Sequence, residues 1–125
     1  MLGALAITSL LVIIALLAYR AVARAGLEQE TRITSPTGIE VLNPVDLGGI
    51  TQWLLIRGKG HRNPLLLWLH GGPGMPTMPY AHRFDTRELL EHVTVVHWDQ
   101  RGVGKSYHPD VATDSLTSAQ VLAEA

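Results

Sequence analysis

Three glycines and a proline follow a histidine in His70-Gly71-Gly72-Pro73-Gly74. A loop without Cβ atoms turns sharply and leaves its N–H groups unshielded. Unshielded main-chain donors are what a developing oxyanion requires. About two dozen residues later comes a second motif, Trp98-Asp99-Gln100-Arg101-Gly102-Val103-Gly104-Lys105-Ser106. Each motif directly succeeds an apolar run, Leu65 to Leu69 and Val93 to Trp98 respectively. If those runs are parallel strands of one sheet, both motifs stand where open α/β sheets place their ligand crevice. One concave site is implied. The plainer reading of the first motif is a Gly/Pro turn with no chemistry.

Other chemistries fit poorly. Gly104-Lys105-Ser106 ends like a phosphate-binding loop, but G-x-x-x-x-G-K-S requires a glycine where this chain has Asp99, whose carboxylate would repel phosphate. No HExxH or comparable spacing occurs, and without cysteine there is neither a thiolate metal site nor a cysteine nucleophile. No metal or other cofactor is expected. Lys and Arg number 10 against 11 Asp and Glu, for a net charge of -1, with no basic run interleaved with aromatics. Nucleic acid is therefore not an expected partner.

The scaffold for both motifs is readable from pattern. Ile39 to Leu47 and Ile50 to Ile56 are β-branched-rich runs around Gly48-Gly49, a two-residue loop able to take the positive φ of a hairpin turn. Leu65 to Leu69 is apolar on both faces, as expected of a strand covered by helices on each side. Ala81 to His92 carries Phe84, Leu89 and Leu90 among charges and predicts one short helix packed on the sheet. Strand, glycine loop, helix and strand make a βαβ crossover. The incomplete sheet is expected to leave its last parallel strand with an open, apolar edge that invites aggregation or a partner. Near the carboxyl end, Thr117 and Gln120 have capping-box spacing and Leu116 with Val121 that of a hydrophobic staple, so a helix starts near Ser118. With no glycine, asparagine or basic residue to close it by Ala125, the chain is expected to stop inside that helix.

The amino-terminal residues are a separate problem, because every Asp, Glu, Lys and Arg lies at or beyond Arg20. The uncharged run from Leu2 to Tyr19, as a helix, would cover roughly 27 Å, close to a bilayer core of about 30 Å. Tyr19, Arg20 and Arg24 suit the interface, and residues 1–24 are read as a single-pass membrane anchor held through residues 2–19. The positive-inside tendency puts the chain beyond Arg24 on the cytoplasmic side, on a bias of only two arginines. A cleaved signal peptide is the competing reading, with Ala21-Val22-Ala23 as an acceptable small-x-small site. Residues 25–36, with Gly26 and Ser35-Pro36 and little apolar periodicity, read as a linker or first loop.

HGGPG with WDQRGVGKS downstream resembles the amino-terminal part of an α/β-hydrolase, specifically the proline iminopeptidase-like serine peptidase branch. The resemblance runs from about Ile39 to Ala125. It implies an α/β fold over residues 37–125, an incomplete hydrolase sheet made of an antiparallel hairpin plus a βαβ unit. It also implies that the loop after the third strand supplies one oxyanion-hole N–H, the other coming from the residue after the nucleophile. That donor maps to Gly72, with His70, Gly71, Pro73 and Gly74 shaping the loop and the Gly72-Pro73 bond expected to be cis. Asp99, Gln100, Arg101 and Gly102 match the second motif, which organises the neighbouring loop without being catalytic. Arg101 is suited to pair with a carboxylate across the crevice.

The departures bear on activity. The superfamily's serine sits in a G-x-S-x-G elbow, with an acid and then a histidine later in the chain. No such elbow occurs in the 125 residues; Gly104-Lys105-Ser106-Tyr107-His108 lacks the final glycine and succeeds the wrong strand. All three triad members are expected beyond Ala125, leaving this chain inactive by itself. The expected function of the longer protein is a serine aminopeptidase acting on short peptides. Esterases, lipases and epoxide hydrolases share the HG-x-P loop and remain the alternative, as does a non-catalytic membrane-tethered remnant.

Overall fold

The computed structural model describes residues 2–71 and 74–125, with the side chains of residues 2–4, 28, 30 and 31 outside the description. It divides into two compact units, Met1–Arg32 and Ile33–Ala125. The first is a helix, α1, over Leu2–Thr31. Within it Leu5–Leu27, of mean hydropathy 2.3, is long and apolar enough to cross a membrane, and none of it is buried. The Ser9 hydroxyl in this stretch donates to the Leu5 carbonyl at 2.9 Å, so the polar group is satisfied inside the helix. The helix continues through residues 25–31, where composition suggests a loop. Ala25, Leu27, Glu28, Gln29 and Glu30 are good helix formers, and extending an existing helix needs no new nucleus.

The second unit is a mixed four-stranded sheet with short helices. Strands β1 (Ile39–Leu47) and β2 (Ile50–Gly58) pair antiparallel in the register Leu47 with Ile50. Their turn is Gly48-Gly49, with φ of 60° and 79°, and Asp46 Oδ1 accepts from the Gly49 N–H at 3.2 Å. Two successive positive φ values give the turn whose twist matches that of the strands. Strand β3 (Leu65–Trp68) pairs parallel with β4 (Thr94–Asp99), and β4 pairs antiparallel with β2, giving the order β1-β2-β4-β3.

The crossover between β3 and β4 differs from the single helix expected over Ala81 to His92. It comprises a 3-10 turn at Met78–Tyr80, then α2 (Ala81–Phe84) and α3 (Arg87–His92). The break falls where Asp85 turns its side chain into the sheet and Thr86 caps α3, its hydroxyl accepting from the Leu89 N–H at 3.2 Å. A fourth helix, α4 (Ser118–Glu124), begins where capping predicts. Thr117 Oγ1 accepts from the Gln120 N–H at 3.1 Å, while the Gln120 amide turns forward to Glu124 instead of back to Thr117.

The pleat sorts the side chains. Arg57, Trp68, Val95, His97 and Asp99 share one face, over which the crossover packs, with Trp68 and Phe84 ring centroids 4.9 Å apart. Val95, His97 and Asp99 are buried there. The opposite side of β3 is not covered as its composition suggests: Leu65 is 76% exposed, and Leu67 and Leu69 are exposed too. The open edge also belongs to β3, the earlier of the two parallel strands, because β4 sits between β2 and β3.

Candidate functional site

Both motifs leave the sheet at the carboxyl ends of the neighbouring parallel strands β3 and β4. Of the first, Gly72 and Pro73, including the bond expected to be cis, lie outside the described residues. His70 is buried, and its Nε2 accepts from the Gln100 N–H at 3.4 Å. The Gln100 side-chain amide returns a bond to the His70 carbonyl, also at 3.4 Å. Both bonds are long, but they are reciprocal and tie the two motifs together. Among the described residues, a Cβ placed at Gly71 or Gly74 would meet nothing within 4 Å.

These residues open on a crevice of about 380 Å³ lined by Leu69, His70, Gln100, Arg101 and the segment from Ser115 to Leu122. The residues after β3 and β4 line it together with those that lead into α4. Arg101 joins the hairpin turn to the last turn of α4, donating through Nε to Glu124 Oε1 at 3.1 Å and through Nη2 to the Gly48 carbonyl at 2.8 Å. Glu124 also accepts from Gln52 Nε2 at 2.7 Å and from Gln120 Nε2 at 2.8 Å. Burial pushes the Glu124 carboxyl up, but the hydrogen bonds from Arg101, Gln52 and Gln120 outweigh it and hold the group below its ordinary value. Gln52 in turn accepts from the indole N–H of Trp98 at 2.9 Å.

Asp99 and Gly102 shape the second loop. Asp99 Oδ2 accepts from the Lys105 N–H at 2.8 Å, and its main-chain carbonyl accepts from the Ser106 hydroxyl. Gly102 has φ of 76°, and a Cβ there would approach Leu116 within 2.8 Å. Ser106 is engaged on both sides, since its oxygen also accepts from the Trp53 N–H at 2.9 Å. A hydroxyl so placed has no geometry for attack on a substrate and none for a phosphate-bound metal.

A buried polar cluster lies beyond what sequence pattern announces. Asp85 bridges His97 Nε2 at 2.7 Å and Arg57 Nη1 at 3.0 Å, and the Arg57 Nε reaches Glu40 at 3.2 Å. The one local signal is Asp85-Thr86, an N-cap pair interrupting a helical pattern. Among the described residues, no group of three or more His, Asp or Glu side chains is arranged to hold a metal ion.

Comparison with known proteins adds one relationship to this geometry. Over 85 residues, 68% of this chain, the sequence is 42% identical to the protein named "Probable aminopeptidase YbaC" of Bacillus subtilis (strain 168). The chain resembles a peptidase. It spans 26% of that relative's length. No family profile matches the chain, and no solved structure matches it.

Proposed function

We propose that residues 37–125 form the front part of an α/β-hydrolase-type serine aminopeptidase of the proline iminopeptidase-like kind, acting on short peptides. Residues 1–24 then anchor it in a membrane as a single pass, with the hydrolase part on the cytoplasmic side, and residues 25–36 link the two. The observation that carries this reading is the reciprocal His70–Gln100 contact. It ties His70, the residue that leads into the glycine loop, to the second motif, and both residues line the crevice. The similarity to a protein named "Probable aminopeptidase" supports the same chemistry.

In this reading the Gly72 N–H donates to the oxyanion of a tetrahedral intermediate, and His70 and Gln100 hold the loop so that the donor needs no rearrangement during reaction. Arg101, engaged by Glu124 and the Gly48 carbonyl, fixes the crevice wall and does not touch substrate. The 125 residues contain no nucleophile elbow, so the chain alone carries out no turnover.

The test is a chimera in which this chain's matching segment replaces that of the Bacillus relative, assayed on aminoacyl-anilide and short-chain ester substrates. Retained release of an amino-terminal residue, lost by about 10²–10³ in kcat on Gly72→Pro with KM little changed, is the expected result. Ester hydrolysis without anilide hydrolysis would move the assignment to the esterase branch. Saturable turnover by the 125-residue chain alone would overturn the account of where the nucleophile lies.

A further inference from the structure

A second pocket, of about 400 Å³, shares no lining residue with the crevice. Strand β2 contributes Thr51 and Trp53, two apart on one face, and the loop after β4 contributes Lys105, Tyr107 and His108. No Asp or Glu belongs to the lining, and Lys105 is its one Lys or Arg. Tyr107 is 67% exposed, so its ring is available at the surface of the pocket and is not used in the core.

The ring beside it shows where the charge lies. Lys105 also borders an apolar cavity walled by Leu42, Leu55 and Met78, but its ammonium stands over the Trp53 indole, 5.1 Å from the ring centroid, and Trp53 borders the pocket and not that cavity. The apolar stem therefore lines one space and the charged end the other. Both side chains leave backbone that is held in place: the Lys105 N–H donates to Asp99 Oδ2 at 2.8 Å, and the Trp53 N–H to Ser106 Oγ at 2.9 Å. Among the described residues no carboxylate lies within ion-pair distance of the Lys105 ammonium. An ammonium carries three N–H groups and a ring face meets one side of it, which leaves donors for an anion.

We infer that this pocket binds a small aromatic carboxylate, its carboxylate on the Lys105 ammonium and its ring against Trp53 and Tyr107. The space is of ligand size and places one charged donor among aromatic side chains. An ion pair open to water is worth little by itself, so an anion without a ring would be held weakly. A neutral aromatic would leave the ammonium unpaired, and an organic cation would meet it with like charge. The inference does not rest on the peptidase reading, since neither the glycine loop nor the crevice takes part.

The experiment titrates the detergent-solubilised full chain with sodium phenylacetate and follows the Trp53 indole and Tyr107 ring resonances. Sodium acetate, 2-phenylethanol and phenethylammonium chloride serve as controls that lack the ring, lack the charge or reverse it. Saturable shifts at these residues, with at least about fivefold weaker binding of every control, are expected. Lys105→Met keeps the stem and should weaken phenylacetate binding about fivefold while leaving that of 2-phenylethanol unchanged; Lys105→Arg should retain it. Because Lys105→Met also removes the cation over Trp53, Tyr107→Ala, at an exposed position, serves as the second variant and should weaken phenylacetate binding about threefold with the charge still in place. Non-saturating shifts, acetate or 2-phenylethanol binding as tightly as phenylacetate, or phenylacetate binding unaffected by either substitution would each overturn the inference.

Discussion

Arg101 Nε lies 3.1 Å from Glu124 Oε1, and this pair joins the loop after β4 to the last turn of α4. Both side chains are nearly buried, at 9% and 3% exposure, and two glutamine amides complete the carboxylate's acceptor capacity. The wall of the crevice is therefore held by a nearly buried ion pair with further hydrogen bonds on both members, an arrangement costly to break from one side. Glu124→Ala, which strands the guanidinium, should lower stability by about 1–3 kcal/mol, measured by urea titration of tryptophan fluorescence.

The same pair sets a response to acid. The native Glu124 pKa lies below the unfolded value of 4.5, so its stabilisation is complete above that value and is lost as pH falls through the lower native one. Melting temperature should decline over that interval in the wild type. In Glu124→Gln the decline should be shallower, with the wild-type advantage disappearing at the acid end.

Gly48 and Gly49 offer a controlled comparison, because both have positive φ but only one is crowded. A Cβ at Gly49 would meet nothing within 4 Å, whereas one at Gly48 would press on Glu124, Arg101 and Gln120. Gly49→Ala should cost about 1–2 kcal/mol from backbone conformation alone. Gly48→Ala should cost measurably more, and Arg101→Ala should shrink the difference between them in a double-mutant cycle.

Asp85→Ala would remove an acceptor shared by Arg57 and His97 in a buried setting. A loss of about 1–3 kcal/mol is expected, because His97 and one arm of the Arg57 guanidinium lose a buried acceptor while Glu40 still pairs with Arg57. Asp85→Asn should recover part of it, retaining one acceptor oxygen. Chemical denaturation of the three proteins side by side checks the order.

The exposed edge strand should govern association. Leu65→Lys places a charge on β3 at its most exposed position and should reduce light scattering by the detergent-solubilised protein without altering its circular dichroism. Unchanged scattering would assign association to α1 instead.

Much of the local structure is legible because it is written in short-range chemistry. Gly48-Gly49 predicts the hairpin, Thr117 the start of α4, and the paired apolar runs the parallel strands carrying both motifs. The features that sequence hides depend on partners distant along the chain. Nothing near Asp85 announces that Arg57 and His97 will meet it, so an apparently continuous helix conceals a break made for a buried carboxylate. The apolar composition of Leu65 to Leu69 signals burial on both faces, but burial depends on what lies above a strand as well as on its own side chains. Ala25 to Thr31 reads as a linker because linkers and helix extensions share polar residues, and here the helix is already nucleated upstream.

Ser106 bridges Trp53 in β2 to Asp99, the last residue of β4, by donating to the Asp99 carbonyl and accepting from the Trp53 amide. Where these strands would otherwise meet directly, a hydroxyl from a third segment stands between Trp53 and Asp99, residues opposite each other in the register. The last rung of the ladder thus belongs to the loop. The Trp53 amide therefore has this acceptor only once the chain has passed Gly104 and turned back. Slow deuterium uptake at the Trp53 amide accordingly reports closure of the second motif, so that one backbone proton in a strand becomes a clock for the folding of a loop about fifty residues away.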